Sequence, residues 1–301
     1  MTGRKTHLDL LAVSMLLVMC ASWGLQQVSI KVANAEISPV LQAGLRSAVA
    51  AVLVLIWSRL RGVRLFERDG SLWLGILIAA LFGIEFVFLY CGLQYTTASR
   101  GILFLFTAPF FVAGAAHFFL PGERLHRVKV LGLLAAFAGV IVAFWQGLTL
   151  PTHRELIGDA MILLAGALWG ATIVLIKATR LVNLSPHKTL LYQLAGSALM
   201  LLPLSPFLGE PGFTRPSALA WLCVGYQAVW VAFITYVAWF WLITRYPASS
   251  LSAFTCLTPL FGVLAAGILL GEPITATLIL SMGLVGVGIY LVNRPARPVV
   301  A

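Results

Sequence analysis

The sequence predicts an all-α membrane protein of ten transmembrane helices, arranged as two inverted five-helix repeats. Three features lead there: charge is scarce, the chain divides into ten apolar stretches of spanning length, and its second half repeats the first in register. Of 301 residues, 60% are hydrophobic and 10% are Asp, Glu, Lys or Arg. An ordinary soluble domain has about 45–50% apolar and about 25% charged residues. A soluble fold of this length needs more polar surface to stay dispersed. Composition therefore excludes a soluble enzyme, a disordered tail and a nucleic-acid module.

A hydrocarbon layer about 30 Å thick takes roughly 20 apolar residues of helix. Such stretches lie at about 8–31, 39–58, 72–94, 98–120, 128–148, 157–178, 188–205, 217–243, 248–270 and 274–293. The first follows Arg4 and Lys5, and Val32-Ala33-Asn34-Ala35-Glu36 imitates an A-x-A cleavage site. Its apolar run is longer than the roughly 7–15 residues of a signal core and contains Trp23-Gly24 and Gln26-Gln27, so a retained helix is expected. The second opens on Ser38-Pro39, the third holds Glu85 and the fourth contains Pro109. Gly132, Ala136 and Gly139 line the fifth at the small-xxx-small spacing of close helix contact. The sixth carries Trp169-Gly170 and ends near Lys177, and the seventh opens on Ser185-Pro186. In the eighth, Gln227, Thr235 and Trp239 form an i, i+4 ridge with Val231 between them. The ninth contains Pro259, and Gly283, Gly286 and Gly288 mark the tenth as a second packing seam. Linkers are short, and no GxxxxGK[ST] sequence occurs, which excludes ATP-driven pumping by this chain alone.

Residues 21–33, ASWGLQQVSIKVA, align with 167–179, ALWGATIVLIKAT, including Trp23/Trp169, Gly24/Gly170 and Lys31/Lys177. Ser38-Pro39 recurs as Ser185-Pro186, Ala98-Ser99 as Ala248-Ser249, Pro109 as Pro259, Gly122-Glu123 as Gly271-Glu272, and Gly139 as Gly288. The offset stays between 146 and 150 throughout. This sets one repeat at 1–150 and the second at 151–301. Five spans per copy is odd, so the second copy crosses the bilayer in the opposite sense. Inverted repeats of this kind build secondary transporters, with the substrate site near the midplane between them.

The formal net charge of +10 follows from orientation. With a cytoplasmic N-terminus, fifteen of the twenty Lys and Arg residues fall on the inside, and Lys31, Arg100, Arg154 and Arg215 fall outside. Arg46 lies within a span. That bias sets both termini in the cytoplasm and removes a nucleic-acid partner. Cys20, Cys91, Cys223 and Cys256 lie far apart in apolar stretches and read as buried hydrophobes, without disulfide or zinc spacing.

The combined motifs resemble the drug/metabolite transporter superfamily in its ten-span EamA-type branch. The matching residues are W-G-x(6)-K at Trp23–Lys31 and Trp169–Lys177, Arg46 after Ser-Pro, Leu93-Gln94-Tyr95-Thr96-Thr97-Ala98-Ser99, Pro109, Gly122-Glu123, and the second-half counterparts Tyr246-Pro247-Ala248-Ser249, Pro259, Gly271-Glu272 and Gly288. The resemblance covers nearly the whole chain. It implies alternating access, and its nearest members in character export amino acids and related metabolites. Two positions depart from the pattern: Gln193 stands near the place equivalent to Arg46, and Glu85 occupies a site where a small or aromatic residue is expected.

Candidate substrate-binding residues are Trp23, Gln26, Glu85, Trp169, Thr172, Gln227, Thr235 and Trp239. A charge at mid-bilayer costs at least about 2.5–3.5 kcal/mol, so Glu85 should face the bundle interior. It reads either as a proton-coupling group or ammonium counter-charge, or as a structural carboxyl paired with Arg46. For Arg46 an ion-pairing or packing role is preferred to anion binding. Trp23 and Trp169 offer aromatic plates, with Gln26 and Thr172 three residues on along the same helix faces. The alternative is that each Trp-Gly pair only lets helices approach. Lys31 and Lys177 read as snorkelling residues at opposite faces, with gating as the alternative. Thr107 and Thr258 could bond carbonyls freed by the prolines, His117 reads as structural, and Tyr90 and Tyr226 stay open.

The expected function is a transporter, favouring export, of small metabolites, with amino acids the preferred cargo. One alternative is an anionic sugar-nucleotide or phosphorylated-metabolite carrier in the same fold. An intramembrane enzyme or scaffold is disfavoured, since no HExxH, GxSxG or paired catalytic carboxylates occur in the spans. No enzyme activity, cofactor or metal is expected. The partners are a small-molecule substrate and the lipid bilayer, and the chain is expected to be a monomer in a bacterial inner membrane.

Overall fold

A computed structural model describes residues 5, 7–67, 69–92, 95–96, 98–145, 151–262, 264 and 276–294. Glu272, Gly271 and Gln94 lie outside the described residues, as do the side chains of Lys31 and Gln27. Among the described residues the regular structure is helical, with one isolated bridge between Ile37 and Phe213 and turns or irregular links between helices.

Helix α1 runs Leu10–Asn34, α2 Pro39–Leu60, α3 Leu72–Gly92, α4 Ala98–Leu105, α5 Ala108–Phe119 and α6 Arg127–Phe144. The second half begins with α7, His153–Ala178, and α8, Pro186–Phe207. Helix α9, Ala218–Gly225, passes through a π-helical stretch, Tyr226–Thr235, into α10, Tyr236–Arg245. Then come α11, Ala248–Phe254, and α12, Ala276–Asn293. Five helical runs are long and apolar enough to cross a membrane: α2, α3, α7, α8 and the continuous Ala218–Arg245 segment. Shorter apolar runs are Leu10–Gln26, Leu103–Phe119 and Ile279–Asn293.

Local chemistry explains the boundaries. Asp9 caps α1 by accepting from the Ala12 N–H, and Thr152 with Glu155 forms a reciprocal capping box on α7. The two Ser-Pro pairs start α2 and α8, with proline in the first turn, where no intrahelical N–H bond is lost. The expected fourth span is broken between Leu105 and Ala108, just before Pro109. The ninth is broken at the matching place, where a 3₁₀ turn, Thr255–Leu257, precedes Pro259. A proline lacks the N–H and clashes with the preceding turn, which explains both breaks. The Thr107 hydroxyl donates to the Phe104 carbonyl at 2.6 Å, one residue before the Leu105 carbonyl that Pro109 leaves free. The Thr258 backbone N–H donates to the Thr255 carbonyl, while its hydroxyl is buried without a hydrogen-bond partner among the described residues.

The two halves interleave reciprocally. Helix α1 packs on the Ala218–Thr235 stretch, and α7 packs on α3, so the first helix of each half meets the third of the other. Helices α2 and α8 pack together, as do α5 with α11 and α6 with α12. The α6–α12 seam uses Gly132, Ala136 and Gly139 against Gly288, Val285 and Ser281. A Cβ on Gly288 would sit 2.4 Å from the Ala136 nitrogen. Gly283 and Gly286 face open space and are not part of that seam. Their spacing from Gly288, five and two residues, puts them on other sides of the helix.

Two buried ion pairs and a third with an exposed carboxylate join separate elements. Lys177 is 5% exposed, lies 3.2 Å from the Glu123 carboxylate and donates to the Tyr246 carbonyl. Glu123 also accepts the backbone N–H groups of Ala248 and Ser249, at 2.9 and 3.1 Å, and the Ser249 hydroxyl. One carboxylate thus joins the α5–α6 link, the end of α7 and the start of α11. Lys177 is therefore clasped rather than snorkelling. Arg100 pairs with Asp159 of α7, which also accepts from Thr96 at 2.7 Å. Asp159 is 3% exposed, so α7 carries a buried carboxylate in addition to the Glu85 of α3. Lys188 pairs with Asp69 at 2.7 Å.

Candidate functional site

A central cavity of about 140 Å³ is walled by both halves. One water needs about 10–15 Å³ on this measure, so the space suits a small organic molecule. Helix α1 contributes Trp23 and Gln26, α2 contributes Arg46, and α3 contributes Phe82, Glu85, Phe86 and Tyr90. From the second half come Trp169 and Thr172 of α7, Gln193 of α8, Tyr236 and Trp239 of α10, and Thr258. Phe106, at the break before α5, lines it as well.

Six of the eight candidate residues line this space: Trp23, Gln26, Glu85, Trp169, Thr172 and Trp239. Thr235 stands behind the wall, accepting the Trp23 indole N–H at 2.9 Å and donating to the Val231 carbonyl at 2.7 Å. Gln227 is fully buried away from the cavity, and neither of its amide atoms has a partner among the described residues. The expected Gln227–Thr235–Trp239 ridge is broken by the π-helical stretch. Its i→i+5 bonding widens each turn, so residues four apart no longer stack in one row. The sequence offers no signal for that stretch, because it reads as a continuous apolar helix.

Both halves of the Trp-Gly expectation meet in one place. A Cβ on Gly24 would lie 2.7 Å from the Gly262 nitrogen and 2.8 Å from the Thr258 oxygen. On Gly170 it would lie 3.0 Å from the Phe111 Cβ and 3.2 Å from the Val112 nitrogen. The glycines bring α1 and α7 against the chain just after the two proline breaks, and the tryptophans turn into the cavity. The Trp23 ring meets Trp239 edge-on at 5.4 Å and Tyr236 at 6.1 Å, whereas Trp169 meets Phe106 at 6.3 Å.

The two intramembrane charges share this cavity without pairing. Arg46 is fully buried, with its guanidinium carbon 4.4 Å from the Phe86 ring centroid and 6.0 Å from that of Tyr236. No ion pair or hydrogen bond joins it to Glu85 among the described residues, although a structural pair was one expectation. Glu85 is 7% exposed. Phe82, Phe86 and Tyr90 are cavity residues that sequence reasoning did not select. Their i, i+4 spacing next to Glu85 was the available signal. Tyr226 and His117 have structural bonds, from the Tyr226 hydroxyl to the Ser22 carbonyl at 2.9 Å and from the Leu125 N–H to His117 Nδ1 at 3.1 Å.

The model of the EamA-like transporter family matches this chain twice, over residues 10–145 and 156–294. The chain belongs to the EamA-like transporter family. An uncharacterized transporter of Archaeoglobus fulgidus is 30% identical over 275 residues, covering 89% of this chain and 90% of its own. The uncharacterized transporter YoaV of Bacillus subtilis is 27% identical, covering 95% and 96%. A Salmonella typhimurium protein named a probable amino-acid metabolite efflux pump is 27% identical, covering 93% and 96%. One solved crystal structure superposes with a TM-score of 0.80 over 92% of this chain and 94% of that one. At 18% identity, that likeness shows the fold alone. This EamA-family chain is thus a multi-pass membrane protein of a transporter family, consistent with its apolar helices.

Proposed function

We propose that this protein is a secondary transporter that exports small metabolites, with amino acids as cargo, through the central cavity by alternating access. The observation that carries the reading is a single cavity walled by matching positions of both halves, Trp23 with Trp169 and Arg46 with Gln193. Relatives named amino-acid metabolite efflux pumps support the cargo class and the direction. The protein would have ten spans in two inverted repeats, 1–150 and 151–301. Two pieces, α4 with α5, would make one broken span, and α11 with the chain after Thr255 another. The basic bias supports cytoplasmic termini, and the membrane would be a bacterial inner membrane.

The Glu123–Lys177–Ser249 clasp ties three elements at one end of the bundle and would have to part when that end opens. Trp23, Gln26, Trp169, Thr172 and Trp239 would contact cargo, while Thr235 would position Trp23. A multiply charged phosphate suits the cavity less well, because Glu85 offsets the single charge of Arg46. Purified protein in liposomes preloaded with labelled amino acids should release them faster than protein-free liposomes. Release of phosphorylated sugars but of no amino acid would overturn the cargo class.

A further inference from the structure

Buried Lys129 has no ion pair among the described residues and lies outside the cavity lining, and the other buried cations fall into two kinds. Arg100, Lys177 and Lys188 each have a carboxylate within 4 Å, and those pairs belong to the scaffold. Arg46 has none. Its Nε, Nη1 and Nη2 atoms are buried with no hydrogen-bond partner among the described residues, and the same holds for Glu85 Oε2. Both residues line one cavity.

A ring face can balance part of a guanidinium's charge, and Phe86 does so at 4.4 Å. Such stacking leaves the N–H edge of the fork unsatisfied, and that edge matches a carboxylate in two parallel bonds. A lone buried carboxylate has the opposite need, for a cationic donor. Removing a buried charge's partner is strongly destabilising, so two such groups held apart in one cavity call for a ligand carrying both complements. A neutral molecule with separated charges meets both demands and leaves the site neutral. A simple acid would approach Arg46 but face Glu85 unpaired, and a simple amine would do the reverse. Most of the remaining wall is aromatic and aliphatic, with Trp23, Trp169, Trp239, Phe106 and Phe240 beside the neutral polar Gln26, Thr172, Gln193 and Thr258, which suits an apolar side chain.

We infer that Arg46 and Glu85 are the specificity-determining pair of the cavity, selecting an amino-acid zwitterion with an apolar side chain: Arg46 holds the carboxylate and Glu85 accepts from the ammonium. The inference rests on the transporter reading above and adds the basis of selection.

The test uses the full chain in liposomes preloaded with one of three labelled cargoes: leucine, 3-methylbutylamine, which lacks the carboxylate, or 4-methylpentanoate, which lacks the ammonium. Wild-type protein should release leucine at least about tenfold faster than either analogue, because a site built to bond a group rejects the analogue lacking it. R46Q should raise the amine-to-leucine ratio, and E85Q should raise the acid-to-leucine ratio. These ratios are internal to each preparation, so a lower amount of folded variant does not mimic them. The wild-type comparison needs no variant at all. Release of either analogue by wild type within about twofold of leucine overturns the inference while leaving a transporter in place. An amine-to-leucine ratio that does not rise in R46Q, or an acid-to-leucine ratio that does not rise in E85Q, also overturns it. If wild type releases none of the three cargoes, the amino-acid reading falls with it.

Discussion

The two halves of the molecule share a scaffold and differ in chemistry. Trp-Gly pairs, Ser-Pro helix starts and proline breaks recur at matching places, and the helices of one half pack on the corresponding partners in the other. Within the cavity the match holds for Trp23 and Trp169 and ends at the charges. Arg46 in the first half faces Gln193 as its repeat counterpart, and Glu85 has Thr235. Both charges come from one half, and the other supplies neutral polar groups. Symmetry therefore builds the container, and departures from symmetry equip it. This is the expected division if the two states of the bundle exchange the roles of the halves around one fixed cargo site.

Substitutions can sharpen that contrast. The largest effect is expected at the clasp. K177M should lower unfolding stability in detergent by about 3 kcal/mol, because it leaves the buried Glu123 carboxylate without its cation. R64A, which breaks an exposed pair with Glu67, should change it by less than about 1 kcal/mol. A small loss at K177M would show that the clasp is not part of the scaffold.

The symmetric glycines come next. G24A should destabilise by about 1–3 kcal/mol, because its Cβ meets backbone atoms at 2.7 and 2.8 Å. G170A should do less harm, since its nearest contact is the Phe111 Cβ at 3.0 Å. Thermal unfolding of the two variants side by side checks the order, and the reverse order would contradict the packing described. A smaller effect is expected from T235V. It removes the acceptor of the Trp23 indole N–H, for a loss of about 1 kcal/mol, read as stability together with a shift in Trp23 fluorescence.

The smallest effect concerns pH. Burial pushes the Glu123 carboxyl up, but the Lys177 charge and the donors of Ala248 and Ser249 outweigh it and hold the group below its ordinary 4.5. Its folded-state affinity for protons is thus weaker than in the unfolded chain. The stabilisation is complete above about pH 4.5 and is lost as pH falls below it. Melting temperature should decline across that window in wild type and decline less in E123Q.

Much of the frame was legible because its signals are local. A Ser-Pro pair starts a helix by its own chemistry, and Pro109 and Pro259 break one. The Trp-Gly pairs marked both a cavity wall and a close approach. The misses have separate physical causes. In a bilayer protein, lipid-facing and interior positions are both apolar, so apolar periodicity does not tell Tyr236 from residues facing lipid, and only the spacing from Glu85 marked Phe82 and Phe86. The Arg100–Asp159 pair joins residues 59 apart in sequence, and no spacing rule foretells it. Gln227 was misplaced because the π-helical stretch changes the register inside an ordinary-looking apolar run.

The claim that the charges of one half hold the cargo is tested most directly by comparing R46Q with Q193A, its repeat counterpart, in labelled-leucine efflux from liposomes. R46Q should reduce efflux by at least about tenfold, and Q193A by less than about threefold. Equal losses at the two positions would contradict the account.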